Sequence, residues 1–321
     1  MPATKKVLLI FLILSVCKLS DGQQMPFNPV SYRIYSPFLL NPGIAGSKDF
    51  FSLDLLAGFT GQSNSQLISG NTRIMKKQPE YLQAPATSTF SNFGVGGFLF
   101  RDYQVPGNSG DFYSAGGGAT FAYHIPVDRE GLSFISIGAT VKGISHHFNG
   151  DTVKIIPSKS FTFPEADFGI YFYNPSFFAG ISATNILPAK KDTAMVNPYV
   201  VPVSRQYNFM IGYKFVLSKS INLVLEPSIM VFTDDSLSFN PRENIEPVIR
   251  LYASNFCIGT YFNDYSKVSF FFQYRYPRFY VGTYFALPKE TAYYKKAITA
   301  EIAVGLNLSH SRGGYTKNAL W

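Results

Sequence analysis

The residues most able to do chemistry in this chain are its histidines, cysteines and carboxylates. The histidines are His124, His146, His147 and His310. Their spacing matches no metal motif. His146 and His147 are adjacent, so on a strand their side chains would point to opposite faces and would not hold one ion together. The pair Asp234-Asp235 lacks the spacing of a calcium loop and is more typical of a hairpin turn. We therefore predict no metal site and no cofactor.

Nucleophilic catalysis has no clear candidate in the sequence. Cys257 is more typical of a buried or lipid-facing small apolar residue than of a nucleophile. The run Gly116-Gly117-Gly118 lacks the following helix of a phosphate loop, and we interpret it as close packing or curvature within a strand. A lipid-modifying enzyme would need a serine and a histidine placed together at the membrane interface, and the sequence identifies no such pair. We predict that the protein is not an enzyme.

The N-terminus has the parts of a secretory signal peptide. Lys5 and Lys6 precede an apolar stretch, residues 7–16, which is too short to span a bilayer as a helix. Ser20-Asp21-Gly22 then places small residues before a cut at Gln23. The sequence therefore predicts a signal peptide over residues 1–22 and a mature chain over 23–321.

The two cysteines, Cys17 and Cys257, bear on how the chain is processed and cross-linked. Cys17 lies in a stretch that resembles a lipoprotein box, with Val16 bulkier than the residue normally found before a lipidated cysteine, so lipidation is the alternative processing route. Cleavage after Gly22 would leave Cys257 as the single cysteine, and no intramolecular disulfide would then form even in an oxidising compartment.

Composition favours a surface that faces lipid. Aromatic residues make up 17% of the chain, whereas charged residues make up only 15%, well below the roughly 25% usual for a soluble domain. After the first twenty residues no apolar run approaches the ~18 residues that a spanning helix needs. A membrane protein of this kind must cross with strands, and only a closed barrel hides strand edges in lipid.

The chain alternates between apolar and polar residues along most of its length. In the segment 132–147, Ile135, Ile137, Ala139 and Val141 share one face, and Ser136, Thr140 and Lys142 share the other. Segments 207–215 and 298–308 repeat the pattern. Apolar-out, polar-in alternation is typical of a transmembrane strand. Strand-borne charges, namely Glu226, Glu301, Arg250 and Arg275, should then face the lumen, either as a luminal network or in a selectivity or ligand-binding role.

About fourteen such segments follow one another. They are 50–58, 66–75, 92–102, 114–124, 133–147, 166–173, 177–184, 206–216, 221–232, 246–254, 256–262, 267–275, 279–286 and 298–308. A soluble β-sandwich would alternate in the same way, but the signal peptide, the aromatic content and the low charge favour a membrane. We predict an all-β fold, a single transmembrane antiparallel β-barrel with a short N-terminal entry segment. Tyrosines at segment ends, such as Tyr171 and Tyr173, would suit its interfacial girdles.

The net charge of +8 comes from scattered lysines and arginines without a basic helix or zinc spacing, so we predict no nucleic-acid binding. Solvated loop ends are the simplest interpretation of these charges. Contact with anionic lipopolysaccharide or peptidoglycan is the alternative.

Four motifs in order resemble the PorP/SprF family of type IX secretion membrane proteins. Asn41-Pro42-Gly43-Ile44-Ala45-Gly46 resembles the family's opening signature. The segments NPSFFAGISATNIL (174–187), 206–217 followed by LVLEPSIMV (223–231), and RLYASNFCIGTYF (250–262) resemble its later strands. The resemblance covers essentially the whole mature chain.

The resemblance implies an outer-membrane barrel that works with type IX secretion and gliding machinery. Its partners would be type IX secretion components, peptidoglycan-linked periplasmic proteins, and secreted adhesins or other cargo with C-terminal sorting domains. It carries no catalytic residue over to this chain. A passive porin or small-solute channel is the alternative function, and it would require an open lumen.

The opening motif has its own physical interpretation. Pro42 fixes φ, while Gly43 and Gly46 permit turns that other residues resist. Asn41, Pro42, Gly43, Ala45 and Gly46 therefore suit a structured plug or a periplasmic entry segment. We interpret them as a tight turn into the first strand, with a partner-binding site as the alternative. Further candidate binding surfaces are the connections 76–90, 148–165 and 186–205.

Overall fold

The computed structural model describes twelve stretches of the chain. They are residues 31–48, 50–60, 63–75, 90–104, 112–128, 132–148, 159–187, 205–234, 239–262, 267–276, 279–288 and 298–309. The predicted signal peptide, its predicted cleavage site and the alternative lipidation site at Cys17 lie outside these stretches. Within these stretches, no helix has the length and apolar character needed to cross a membrane.

The described stretches form one antiparallel sheet that closes on itself. Its strands are β1 (Phe50–Thr60), β2 (Ser63–Met75), β3 (Phe90–Gln104), β4 (Phe112–Pro126), β5 (Phe134–Phe148), β6 (Lys159–Tyr173), β7 (Phe177–Thr184), β8 (Gln206–Tyr213), β9 (Phe215–Ser218), β10 (Leu223–Asp234), β11 (Ile245–Ala253), β12 (Phe256–Tyr261), β13 (Lys267–Tyr276), β14 (Phe279–Pro288) and β15 (Thr299–Ser309).

Closure is made by the first and last strands. β15 pairs along the whole of β1, from Phe50 opposite Ser309 to Thr60 opposite Thr299. β8 and β9 are separated only by Lys214 and both pair with β10, so they occupy one position in the wall. The result is a closed antiparallel barrel of 14 strands, and the predicted all-β barrel is confirmed.

The alternating sequence pattern determines which face of each strand meets lipid. On β5, Val141 is 69% exposed and Ile137 is 40% exposed, whereas Ser136, Thr140 and Lys142 are buried toward the lumen. On β15 the exposed side chains are Ile302, Val304, Leu306 and Leu308. The apolar-out, polar-in assignment of these strands is confirmed.

Two expectations about individual segments are wrong. β6 begins at Lys159, so the stretch predicted as the connection 148–165 is partly strand. Pro164 lies within β6 opposite Gly143, although a proline has no N–H to donate to a ladder. Tyr171 lies inside the barrel, only 9% exposed, rather than in an outer girdle, because it shares a face with the luminal Asp167.

Residues 31–48 fold inside the barrel, and we call this segment the plug. It contains a one-turn helix, α1 (Tyr32–Tyr35), and two 3-10 turns, Pro37–Leu39 and Pro42–Ile44. A second one-turn helix, α2 (Pro241–Asn244), precedes β11. Most plug side chains are buried, so its sequence supplies much of the barrel's internal core.

The two ends of the barrel differ in their connections. β1 begins and β15 ends at the same end, which we call the short-turn end. Residues 174–176, 219–222 and 254–255 make brief turns there, with 76–89 as its longest connection. The opposite end, the long-connection end, carries the connections 149–158, 185–205 and 235–244.

Candidate functional site: the luminal plug and its sockets

The predicted entry motif is buried inside the barrel, against the wall. Asn41 and Ala45 have no exposed surface, and Pro42, Gly43 and Gly46 are also buried. Asn41 caps the second 3-10 turn, because its side-chain Oδ1 accepts a hydrogen bond from the Gly43 N–H at 2.9 Å. The structure therefore brings all five predicted residues together inside the plug.

Asn41 also joins the plug to the wall. Its Nδ2 donates to the carbonyl of Ile170 on β6 at 3.0 Å and to that of Ile181 on β7 at 3.2 Å. With the cap to Gly43, the amide uses both its acceptor and its donors in a buried place. A leucine of similar volume would fill the space but would make none of these bonds.

Glycines in the wall form sockets that admit the plug backbone. A Cβ on Gly138 would overlap the backbone of Pro42, and a Cβ on Gly94 would overlap the Ala45 carbonyl. On neighbouring strands, a Cβ on Gly169 would overlap the Asn41 Oδ1, and one on Gly180 would come within 2.6 Å of its Nδ2. We define Gly94, Gly138, Gly169 and Gly180 as the socket glycines. Their lack of a side chain is what allows the close approach.

Polar side chains of the wall hold the plug backbone by its carbonyl groups. Ser136 donates to the Gly43 carbonyl and Ser182 to the Leu40 carbonyl, each at 2.6 Å. His124 Nε2 lies 2.9 Å from the Ala45 carbonyl, which can only accept, so Nε2 carries the proton. The Tyr173 hydroxyl then donates to His124 Nδ1 at 3.0 Å. His124, a candidate for metal chemistry by residue type, is a neutral donor to the plug.

The N-terminal part of the plug is tied to the opposite wall. The Ser31 N–H donates to Glu301 of β15 at 2.7 Å. Arg33 forms an ion pair with Glu246 of β11 and donates to the Tyr261 hydroxyl of β12 at 2.7 Å. Its guanidinium lies 4.5 Å from the centre of the Phe232 ring. The plug therefore spans the lumen between β5–β7 and β11–β15.

The middle of the plug contacts β1, β2 and β14. Ser36 donates to Asp54 at 3.3 Å and lies 2.8 Å from the Ser69 hydroxyl. Tyr280 donates to the same Asp54 carboxylate at 2.6 Å. Tyr35 stacks on the Tyr280 ring, with centroids 5.6 Å apart. Asp54 was not predicted as a luminal acceptor, because it lies within an apolar run of the sequence.

The predicted luminal charges Glu226, Glu301 and Arg250 are buried inside the barrel, and Glu226 and Arg250 form an ion pair. Arg250 forms an ion pair with Glu226 at 2.5 Å, and Tyr252 donates to the other oxygen of Glu226 at 3.2 Å. A second network places Lys142 at 2.8 Å from Asp167 and 3.6 Å from Glu165. This second network was missed from the sequence, although the polar face of β5 and β6 carried the signal.

One serine–histidine pair does form, inside the barrel. The Ser114 hydroxyl lies 2.8 Å from His146 Nδ1, and both side chains are buried toward the lumen. His147 turns to the other face and packs on Tyr113, with ring centroids 4.8 Å apart. The opposite orientation of the two histidines is confirmed. Because the Ser114–His146 pair faces away from lipid, it does not provide the interfacial arrangement that a lipid-modifying enzyme would need.

Cys257 and the metal-ligand types add no further site in the part of the chain that the structure describes. Cys257 is 2% exposed and faces the lumen among apolar residues. Within the described stretches, no three His, Cys, Asp or Glu side chains are grouped closely enough to hold a metal ion.

A wall that is apolar outside and polar inside, closed without an edge, defines an outer-membrane β-barrel, here with a folded segment across its lumen. The model of the family described as "Type IX secretion system membrane protein PorP/SprF" matches residues 28–316. The chain belongs to this family and is an outer-membrane protein.

Solved barrels of other kinds resemble the chain only distantly. The Acinetobacter baumannii outer membrane protein Omp33 is 10% identical, with a TM-score of 0.44 over 82% of this chain and 100% of that one. The P. putida toluene transporter TodX is 8% identical, with a TM-score of 0.43 over 84% of this chain and 93% of that one. A search of curated proteins finds no match.

Proposed function

We propose that this barrel is an accessory component of type IX secretion and gliding machinery that helps to secrete or anchor large surface adhesins or other cargo with C-terminal sorting domains. Family membership supports the setting. The observation that carries the proposal beyond it is the plug, because its bonds to both sides of the wall place a folded segment across the lumen. A barrel crossed in this way suits an anchoring role better than the passage of solutes.

The plug also weighs against the alternative, a passive porin. A porin needs a water-filled path lined by accessible charges. Here Asn41 bridges β6 and β7, Arg33 is held by β11 and β12, and Asp54 is bonded to Ser36 between them. These contacts lie across the lumen that a solute would have to cross.

The ends of the barrel suggest how it is oriented. Bacterial barrels have short turns on the periplasmic side and longer loops outside the cell. We therefore place the short-turn end in the periplasm, facing peptidoglycan-linked partners, and the connections 149–158 and 185–205 on the cell surface, where cargo would be held. The motif Asn41–Gly46 is buried in the plug, so the partner-binding surface is assigned to connections and not to this motif.

The deciding experiment compares the surface proteome of a deletion strain with that of its parent. We expect one or a few large adhesins to be lost from the surface, with the unplaced cargo degraded or released into the medium. The purified barrel should show little conductance in planar bilayers. An unchanged surface proteome together with slower uptake of a small solute would replace this proposal with the porin function.

A further inference from the structure

A groove crosses four strands on the outer face of the wall, where the barrel closes. Its volume is about 590 Å³. It is lined by two neighbouring rows of residues that pair across β15, β1, β2 and β3. The first row consists of Val304, Leu55, Ile68 and Leu99. The second row, which is closer to the long-connection end, consists of Ile302, Ala57, Gln66 and Arg101. We call the space over these eight residues the seam groove.

Ala57 gives the seam groove its depth. Its short side chain lies between those of Leu55 and Phe59 on the outer face of β1, and opposite Ile302 of β15. On the other side of the groove, Leu99 projects from β3 and is 63% exposed. A hydrocarbon chain lying over Ala57 would contact side chains on both of its sides, whereas a smooth wall would contact it on one. The additional contacts favour one position for that chain.

Arg101 is a cation on the face of the barrel that meets lipid. It is exposed and shares the outer face of β3 with Leu99. Within the stretches that the structure describes, it forms no ion pair and no hydrogen bond, and its guanidinium carbon lies 5.9 Å from the centre of the Tyr113 ring. β3 ends at Gln104, so Arg101 lies near the end of the strand. An outward charge is tolerated there because it is close to the headgroups. Its donors are available to a ligand.

Hydrogen-bonding side chains accompany Arg101 at this end of the groove. Gln66 lies directly opposite Arg101 on β2, and Asn64 lies on the same outer face closer to the rim. On the far side of Arg101, Tyr113 packs on His147, with ring centroids 4.8 Å apart. The outer surface therefore changes from aliphatic side chains toward the middle of the wall to amides and a guanidinium toward the long-connection end.

This order of groups matches a lipid whose headgroup carries both phosphate and sugar. A guanidinium binds phosphate through two parallel hydrogen bonds. The amides of Asn64 and Gln66 both donate and accept, as sugar hydroxyls require. The aliphatic row lies deeper in the wall, where the acyl chain of such a lipid would be. The proposed function places the long-connection end outside the cell, and the groove is then in the leaflet that carries lipopolysaccharide.

We propose that the seam groove binds lipopolysaccharide. A phosphate of its lipid A part lies on Arg101, sugar hydroxyls lie on Gln66 and Asn64, and one acyl chain lies over Ala57. The choice of leaflet rests on the orientation given under the proposed function. The binding chemistry does not, because it follows from the shape and polarity of the groove.

The test titrates the full-length barrel in a zwitterionic detergent with purified lipid A and counts the bound lipid by native mass spectrometry. We expect one lipid to be retained preferentially. Arg101→Gln should lower the affinity about tenfold or more, because it removes a charge-assisted contact. Arg101→Lys keeps the charge but not the paired donors, so it should restore part of the binding. Ala57→Leu changes no charge and fills the groove, so it should lower the affinity about fivefold or more.

Each variant has a matched control elsewhere on the barrel. Lys219→Gln removes an exposed cation from a turn at the short-turn end, and Ala139→Leu enlarges an exposed outer alanine on β5. Both should bind lipid A as the parent does, and heat-modifiable migration on gels verifies that every variant is folded. If the controls weaken binding as much as Arg101→Gln and Ala57→Leu do, or if those two variants bind normally, the proposal is wrong.

Competing ligands test the chemistry of the headgroup and the need for the acyl chain. Phosphatidylglycerol at equal concentration should displace little lipid A, because its headgroup lacks the sugars, and inorganic phosphate should displace none. Full displacement by phosphatidylglycerol would overturn the glycolipid assignment. Displacement by inorganic phosphate would show that Arg101 binds phosphate without the groove, and it would overturn the proposal as a lipid site.

The outcome is distinguishable from that of the proposed function. Lipid A binding by a barrel whose deletion leaves the surface proteome intact would retain the seam groove and remove the anchoring function. Loss of adhesins from a strain whose purified barrel does not retain lipid A would do the reverse.

Discussion

Replacing Asn41 with alanine should release the plug. The substitution removes one bond to the Gly43 N–H and two bonds to the carbonyls of Ile170 and Ile181, all in a buried place. Each buried polar group that loses its partner costs about 1–3 kcal/mol. Water entering from the lumen would recover part of this, so a total near 3 kcal/mol is a reasonable expectation. That amount corresponds to a shift of about 150-fold toward the undocked plug.

The assay is conductance in planar bilayers, with heat-modifiable migration on gels to verify that the wall is intact. The parent protein should be nearly silent, whereas Asn41→Ala should show frequent openings. Asn41→Asp is the control that matches the size of the side chain. It keeps the acceptor that caps Gly43 but loses the donors to the wall, so this variant should also show channel openings. A silent Asn41→Ala barrel of normal fold would refute the role given to Asn41.

A double-mutant cycle sharpens the same test. Gly169→Ala should be strongly disruptive by itself, because its Cβ would overlap the Asn41 Oδ1. In the Asn41→Ala background that atom is gone, so the added methyl group should cost much less. Additive effects of the two substitutions would show that the socket and the amide do not meet as described.

Two other expectations concern the wall and the luminal ions. Ile137→Arg should lower the outer-membrane level of the protein more than Thr140→Arg. A lipid-facing arginine costs roughly 2–4 kcal/mol near the midplane, whereas an arginine at position 140 would lie opposite Asp167 inside the barrel. Equal levels of the two variants in immunoblots would contradict the assigned faces. Lys142→Met should markedly lower the temperature of heat modification, because it leaves Asp167 and Glu165 without their cation. Breaking a buried ion pair in this way costs about 3–5 kcal/mol. Lys142→Arg keeps the charge and should lower that temperature less.

The strands could be predicted because the alternating pattern of each strand is local in the sequence. Alternation along β5 and β15 depends only on neighbouring residues, and burial follows it residue by residue. β6 was less predictable at its start because Pro164 is a local signal for a loop. Tyr171 was misassigned because both faces of β6 carry aromatic residues, so alternation there does not distinguish the inner face from the outer one.

The plug was less predictable because its contacts are made over long distances in sequence. The opening motif indicated a turn, which the 3-10 turn at Pro42–Ile44 provides. Nothing near it in sequence indicated that Gly138 or Gly169 would receive it. Glycines occur within strands for several reasons, and the sequence does not distinguish them because it does not show which backbone segment faces each glycine. Ser114 and His146 were missed in the same way, since their pairing depends on the register of β4 and β5.

The plug also has a consequence for the order of assembly. It precedes β1 in the chain, yet the Ser31 bond to Glu301 joins residues 270 positions apart, and the Asn41 bond to Ile181 joins residues 140 positions apart. Contacts of such separation form late, because the loop they close is entropically costly until the intervening chain is ordered. The plug is synthesised before the wall, yet it docks after the wall has formed. Glu301 on the last strand and Asp54 on the first strand both bind the plug, so docking of the plug stabilises the pairing of β1 with β15 where the barrel closes.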